Sequence, residues 1–267
     1  MAKIRGFVLT MDKDIDLHSA ICEEVAAIPA EGGANIANFI LVNCEKNEGL
    51  QKLYSFQTLE SLMTRLKVIN DELWLKRLSK LLIKNLEYPL HSVSGQCENI
   101  MRRLLSLCTK AQIDQVLGII KTLSSKHEVK SRFLALNLAL EYTDVKLYLK
   151  ENPDAIAEMI THTSETAVVG KHVLTYFEAF LKKLWLAVDG KPELWYAFWI
   201  KDYLEALRSD DESLRTSACT HLTPLVIKIH KMSLAYILSK FLEEHKNLEQ
   251  NSVGSLESLM TLLKVAR

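Results

Sequence analysis

Turn-forming residues are scarce in this chain of 267 amino acids, which has 9 glycines and 5 prolines. That excludes fibrous and low-complexity classes and argues against a β-rich fold punctuated by glycine hairpins. Cysteine is also sparse. Cys22, Cys44, Cys97, Cys108 and Cys219 are odd in number, far apart and without a CxxC pair. The pattern predicts neither a disulfide framework nor a zinc site, but thiols packed among apolar neighbours in a reduced compartment. Net charge is absent, since 33 basic residues balance 33 acidic ones. A globally basic nucleic-acid binder is excluded, while local patches remain open. No apolar run approaches the roughly 18 residues of a membrane span, because a charged residue interrupts every leucine-rich segment. Phe7-Val8-Leu9, followed by Asp12, Asp14 and Asp16, is too short for a secretory signal, so the expected location is the cytoplasm.

The catalytic motifs of highest specificity are missing as well. There is no HExxH, P-loop, GxGxxG or GxSxG. His221 lies two residues from Cys219, on a different helix face, and His230 lies nine residues further on. No catalytic residue, metal or cofactor is expected. Trp185, Trp195, Tyr196, Phe198, Trp199 and Tyr203 form an aromatic cluster. Because Trp195, Trp199 and Tyr203 recur at helical spacing, core packing is favoured there over a ligand pocket.

What the chain has is leucine, 44 residues of it, in helical rather than alternating patterns. From Asn70 onward one amphipathic helix follows another. After Asn70-Asp71-Glu72, the stripe Leu75, Leu78, Leu82 and Leu86 ends before Pro89, and Val93, Cys97, Ile100, Met101, Leu104 and Cys108 form the next. Thr109 is placed to cap a helix with Ile113, Val116, Leu117 and Ile120, and Ser124-Ser125 to open one with Val129, Phe133, Leu136 and Leu140. Asn152-Pro153 should start a short helix with Ile156 and Ile160, and Ser164-Glu165 a long one through Val169, Val173, Phe177, Leu181 and Leu184. Pro192-Glu193 and Ser209-Asp210-Asp211 open the last pair, the second helix carrying Leu214, Ala218, Leu222 and Leu225.

The second helix of each pair has an apolar residue near its start: Val93, Val129, Val169 and Leu214. Their steps of 36, 40 and 45 residues fall near the roughly 40–47 of HEAT and armadillo units. The run Asp211 to Ala218, with Leu222 and Leu225, fits a HEAT second helix. Acids favour the positive helix N-terminus, alanine permits close approach, and the leucines supply the shared core. The fold class is therefore all-α, a HEAT/armadillo-like solenoid of helical hairpins, with a generic bundle as the alternative. Residues 1–69, with helices expected near Ile15 to Ile28, Asn35 to Cys44 and Phe56 to Val68, are read as divergent N-terminal repeats. Residues 70–267 are read as the regular ones. Ser255 to Lys264 is still apolar-periodic where the chain stops, so both ends are read as cut from a longer solenoid.

Charge is uneven along this frame. Residues 76–132 hold eleven basic residues against four acidic ones, and residues 11–72 hold eleven acids against five bases. Lys76, Lys80 and Lys84 share one helix face, where repulsion costs a few tenths of a kcal/mol per pair unless an anion lies opposite. With Arg102, Arg103, Lys126, Lys130 and Arg132 they form the candidate surface for RNA or an acidic partner. A solvated face is the bland alternative.

Leu86-Glu87-Tyr88-Pro89-Leu90-His91-Ser92-Val93-Ser94-Gly95-Gln96-Cys97 resembles the recurring helix start "hydrophobic-x-x-Pro-hydrophobic-x-x-Val" of the thyroid adenoma-associated family. Its members are large HEAT-repeat regulators of a tRNA 2'-O-ribose methyltransferase. Lys130-Ser131-Arg132-Phe133-Leu134-Ala135-Leu136 and Asn152-Pro153-Asp154 fall where that family has a further repeat. The matches cover under half of the chain. The family's Arg-Arg-Ser-Ala-Gly-like motif is absent, Arg102-Arg103 being followed by Leu104-Leu105, and no role of that motif is carried over. The resemblance implies a non-catalytic scaffold that docks a partner protein, a tRNA methyltransferase, and presents tRNA along the basic ridge. The runner-up is a protein-only adaptor in transport or signalling.

Overall fold

The computed structural model describes residues 33–123, 129–165, 167–229, 234–245 and 260. Among these, every regular element is a helix and no strand occurs. No described helix is long and apolar enough to cross a membrane. The expected helix over Ile15 to Ile28, the Ser124-Ser125 cap, Lys126, the Val169 side chain and the helix over Ser255 to Lys264 lie outside the described residues. The chain divides into two compact units, one ending at Thr143 and the other beginning at Asp144.

In the first unit the described helices are α1 (Gly33–Lys46), α2 (Gly49–Arg65), α3 (Glu72–Asn85), α4 (His91–Leu107), α5 (Lys110–Lys121) and α6 (Val129–Ala139). Successive helices pair as α1–α2, α3–α4 and α5–α6, while α1, α3 and α5 form one layer and α2, α4 and α6 another. Local chemistry explains the boundaries. The Asp71 carboxylate accepts from the Trp74 amide at 3.0 Å to start α3. Thr109 and Gln112 exchange hydrogen bonds as a capping box at the head of α5, satisfying two first-turn donors. The apolar stripes meet between the layers, where Leu78, Leu82, Val93, Cys97, Ile100 and Leu104 are fully buried. Helix α2 begins at Gly49, ahead of the expected Phe56, and Leu66 in extended conformation ends it before Val68. The Gly49 φ of 55° puts a residue that tolerates the left-handed region at the α1–α2 corner.

Polar ties run between neighbouring hairpins. Arg77 on α3 pairs with Glu45 on α1 at 2.5 Å, and Gln96 on α4 bonds Glu60 on α2. Gln112 Nε2 donates to the Ile69 carbonyl at 2.6 Å, and the Glu87 carboxylate accepts from the Ser131 amide at 2.9 Å. These partners stand 32 to 44 positions apart.

The second unit contains α7 (Val145–Glu151), α8 (Ala155–Thr163), α9 (Ala167–Ala187) and α10 (Pro192–Trp195). Helix α10 runs through a π-turn, Tyr196–Ile200, into α11 (Lys201–Leu207). Next, α12 (Glu212–Ser217) runs through a second π-turn, Ala218–Leu222, into α13 (Thr223–Ile229), and α14 spans Leu234–His245. Helix α7 has no counterpart in the sequence reading: its seven residues make too few turns to display a period, although Val145, Tyr148 and Leu149 are buried. Asn152 closes α7, its Nδ2 donating to the Tyr148 carbonyl at 2.7 Å, instead of opening α8. The core of this unit is aromatic: Phe177, Trp195, Trp199 and Tyr203 are all buried.

Asp202, on α11, gives this unit a pH dependence. Burial pushes its carboxyl up to about 6, with Glu205 and Asp154 adding repulsion and Lys201 opposing. An acid whose folded value is raised stabilises the fold only while protonated, so its contribution is complete below about pH 4 and is lost as pH rises through about 6. The full shift would correspond to about 3 kcal/mol, but the half-buried group is screened, leaving about 1 kcal/mol. Asp202→Asn should therefore stabilise the protein by about 1 kcal/mol above pH 7 and by almost nothing at pH 4. Urea midpoints measured across that range check it, and an equal gain at both pH values would refute it.

Candidate functional site

Helix α3 shows how the ridge arises. Trp74, Leu75, Leu78, Leu81 and Leu82 turn inward, which leaves Lys76, Lys80 and Lys84 exposed on one line of the opposite face. Four residues of helix rise about 6 Å, so the ridge spans about 12 Å. Among the described residues, none of the three ammonium groups has an acidic partner.

The other predicted site residues are placed differently. Arg102 on α4 is held by Glu98 at 3.0 Å and by Glu141. The Arg103 guanidinium donates to the Met63 and Leu66 carbonyls at 3.3 and 3.1 Å, closing the C-terminal end of α2. Both lie in the layer away from α3. Lys130 faces Glu87 at 3.6 Å, and the Arg132 guanidinium lies 5.8 Å from the centre of the Phe133 ring. The structure thus brings Lys76, Lys80 and Lys84 together, with Lys130 nearby through Glu87.

Beside the ridge lies a feature that the sequence reading missed. Between α3 and α5 there is a hollow of about 550 Å³, lined by Leu75 and Ile119 and walled by Lys76, Lys80 and Gly118. A second hollow of about 460 Å³, bounded by Ile83, Lys84 and Leu123, shares Lys80, Ile119 and Thr122 with it, so the two form one groove along α3. Leu73, 81% exposed, is at the mouth. A β-carbon added at Gly118 would meet nothing within 4 Å, so the missing side chain leaves the wall open there. Glu72 borders the first hollow and Glu87 the second. The Glu87 carboxylate is already engaged by Ser131 and Lys130. Two signals were available in the sequence: Leu73, just outside the stripe, and a glycine in mid-helix at Gly118.

The Cys44, Cys97 and Cys108 thiols are inert in character. Burial pushes the Cys97 thiol up to about 12, the half-buried Cys108 thiol to about 11, and that of Cys44 well above its ordinary value. Such thiols hold their protons and are poor nucleophiles. Among the described residues no three His, Cys, Asp or Glu side chains converge as a metal site would require.

No family model matches the chain, and no curated protein matches it. Two crystal structures of engineered proteins are similar to it, each at 14% identity and a TM-score of 0.37. One alignment covers 84% of this chain and 97% of the engineered chain, and the other covers 100% and 69%. At that level neither likeness carries an argument about topology or function.

Proposed function

We propose that the chain is a HEAT-like solenoid segment acting as a non-catalytic scaffold that binds a partner protein. The observation that carries this reading is the ridge of Lys76, Lys80 and Lys84, three like charges on one face, none of them in an ion pair among the described residues. A chain that aligns three such charges keeps a small repulsion that an anionic partner would relieve. The solenoid part rests on two features: the alternating layers of the first unit, and ties that recur about one hairpin apart, at 32 to 44 residues. In the second unit the ties Ser164–Ser213 and Thr163–Ser217 span 49 and 54 residues. That fits longer repeats of the same kind.

The process of this reading, support of tRNA 2'-O-ribose methylation in the cytoplasm, comes from the resemblance to the thyroid adenoma-associated family. Affinity capture from the source cell's extract, with and without RNase, tests it. Recovery of a tRNA methyltransferase together with tRNA is the expected result. Transport or signalling proteins, unaffected by RNase and without tRNA, would replace that process with the protein-only adaptor reading.

A further inference from the structure

We propose that the groove between α3 and α5 is the docking site for an acidic amphipathic helix of a partner protein. This deepens the scaffold reading and rests on it. The groove offers two chemistries side by side. Leu75, Ile83 and Ile119, each at most 9% exposed, form its floor; Leu73 stands exposed at its mouth and the half-buried Leu123 lies at its far end, while Lys76, Lys80 and Lys84 run along one edge. A ligand that used only charge would waste the apolar lining, and one that used only apolar contact would leave three ammonium groups unanswered.

A helix with carboxylates at i, i+4 and i+8 repeats every ~6 Å, the spacing of the lysines themselves, and an adjacent leucine stripe would face the lining. An extended peptide fits less well. Strand addition needs a sheet edge, and no strand occurs among the described residues; a polyproline-type segment needs an aromatic-lined groove, and no aromatic side chain lines this one. A helix brings its own hydrogen bonds satisfied. RNA is disfavoured because its backbone gains nothing from Leu73 or Ile119, and because Arg102, Arg103 and Lys130 are already bonded within the chain. Glu72 and Glu87, the acids at the two ends, set limits to the register of an acidic ligand.

The test uses the full chain and a panel of labelled 16-residue peptides with glutamates fixed at i, i+4 and i+8, variable apolar residues on the adjacent stripe, and tRNA as a separate probe. Binding is read by fluorescence polarisation at two salt concentrations. The triple variant Lys76→Glu, Lys80→Glu, Lys84→Glu should weaken the best peptide by tenfold or more, and a peptide with lysine in place of glutamate should recover binding to that variant. Gly118→Leu projects into the groove from an exposed helical position with space around it. It should weaken the peptide at least fivefold and leave the ridge charges untouched. Circular dichroism confirms that both variants remain helical.

Three results would overturn the proposal: no panel member binding the unaltered chain at 1 mM peptide, peptide binding indifferent to Gly118→Leu, or tRNA competing fully for the ridge while Gly118→Leu has no effect on it. The last outcome would assign the ridge to RNA. Failure of the peptides with a partner still captured from extract would sink the groove and spare the scaffold. An empty capture with tight peptide binding would do the reverse.

Discussion

Replacing Trp199 by alanine should cost the second unit about 4 kcal/mol, from the roughly 3–5 kcal/mol of a Trp→Ala change in a core. Trp199 is fully buried. Its ring meets Phe177 edge-on at 5.7 Å and 85°, Trp195 at 5.7 Å and 78°, and Tyr203 at 5.7 Å in a tilted arrangement. The substitution removes the common member of these pairs and leaves a cavity that the three flanking aromatics cannot fill without leaving their rotamers. For a unit of this size the melting temperature should fall by about 15 °C. Trp199→Phe should cost far less, because the ring contacts persist and the buried indole N–H, which has no hydrogen-bond partner among the described residues, is removed. Leu186→Ala, at an exposed position, is the control. A loss below about 1 kcal/mol for Trp199→Ala would mean that the cluster is not the core of its unit.

That cluster also shows what the sequence could and could not reveal. Trp195, Trp199 and Tyr203 at four-residue spacing predict one buried helix face, and burial follows because each ring repeats on the same side. The two π-turns, Tyr196–Ile200 and Ala218–Leu222, were not legible. Each is an insertion into the backbone ladder that leaves residue types unchanged, and its trace is a local bond such as Thr223 Oγ1 to the Ala218 carbonyl at 3.3 Å. Caps were legible where the bonds stay within the helix's own first turn, as at Asp71, Thr109 and Asp211. They were misread at Asn152, where one side chain could close the preceding helix or open the next.

The candidate surface divides along the same line. Lys76, Lys80 and Lys84 are exposed because their own helix places them opposite its leucines, a fact that resides in one segment. Arg102, Arg103 and Lys130 find partners at Glu141, Met63 and Glu87. Those contacts depend on how hairpins stack, which no single window of sequence records. The groove belongs to the second kind, since its two sides lie on different hairpins and its opening at Gly118 is an absent side chain.

The buried lysine of the first unit leads to the second large effect. Lys52→Met should destabilise that unit by about 2 kcal/mol, although the substitution preserves volume and removes a charge from the interior. Lys52 is only 6% exposed. Its ammonium donates to the Cys44 carbonyl at 2.9 Å and the Asn47 carbonyl at 3.1 Å, and lies 5.2 Å from the centre of the Tyr88 ring. Cys44 is in the last turn of α1, where carbonyls have no partner within the helix and the dipole favours a cation. Methionine would remove the desolvation cost of the charge, which is a gain. Against it stand two orphaned carbonyls at about 1–3 kcal/mol each and the lost attraction to the ring, so the balance is a loss. The phenol that faces the ammonium also accepts from the Gly49 amide at 3.1 Å, which ties the same corner to the next hairpin. Tyr88→Leu should therefore weaken the corner too, and the two losses should not add, because both act through one cluster. Amide hydrogen exchange of α1 and α2 in urea measures this, with exposed Lys46→Met as the control. Full additivity of Lys52→Met and Tyr88→Leu, or a gain in stability for Lys52→Met, would show that the ammonium does not hold the end of α1.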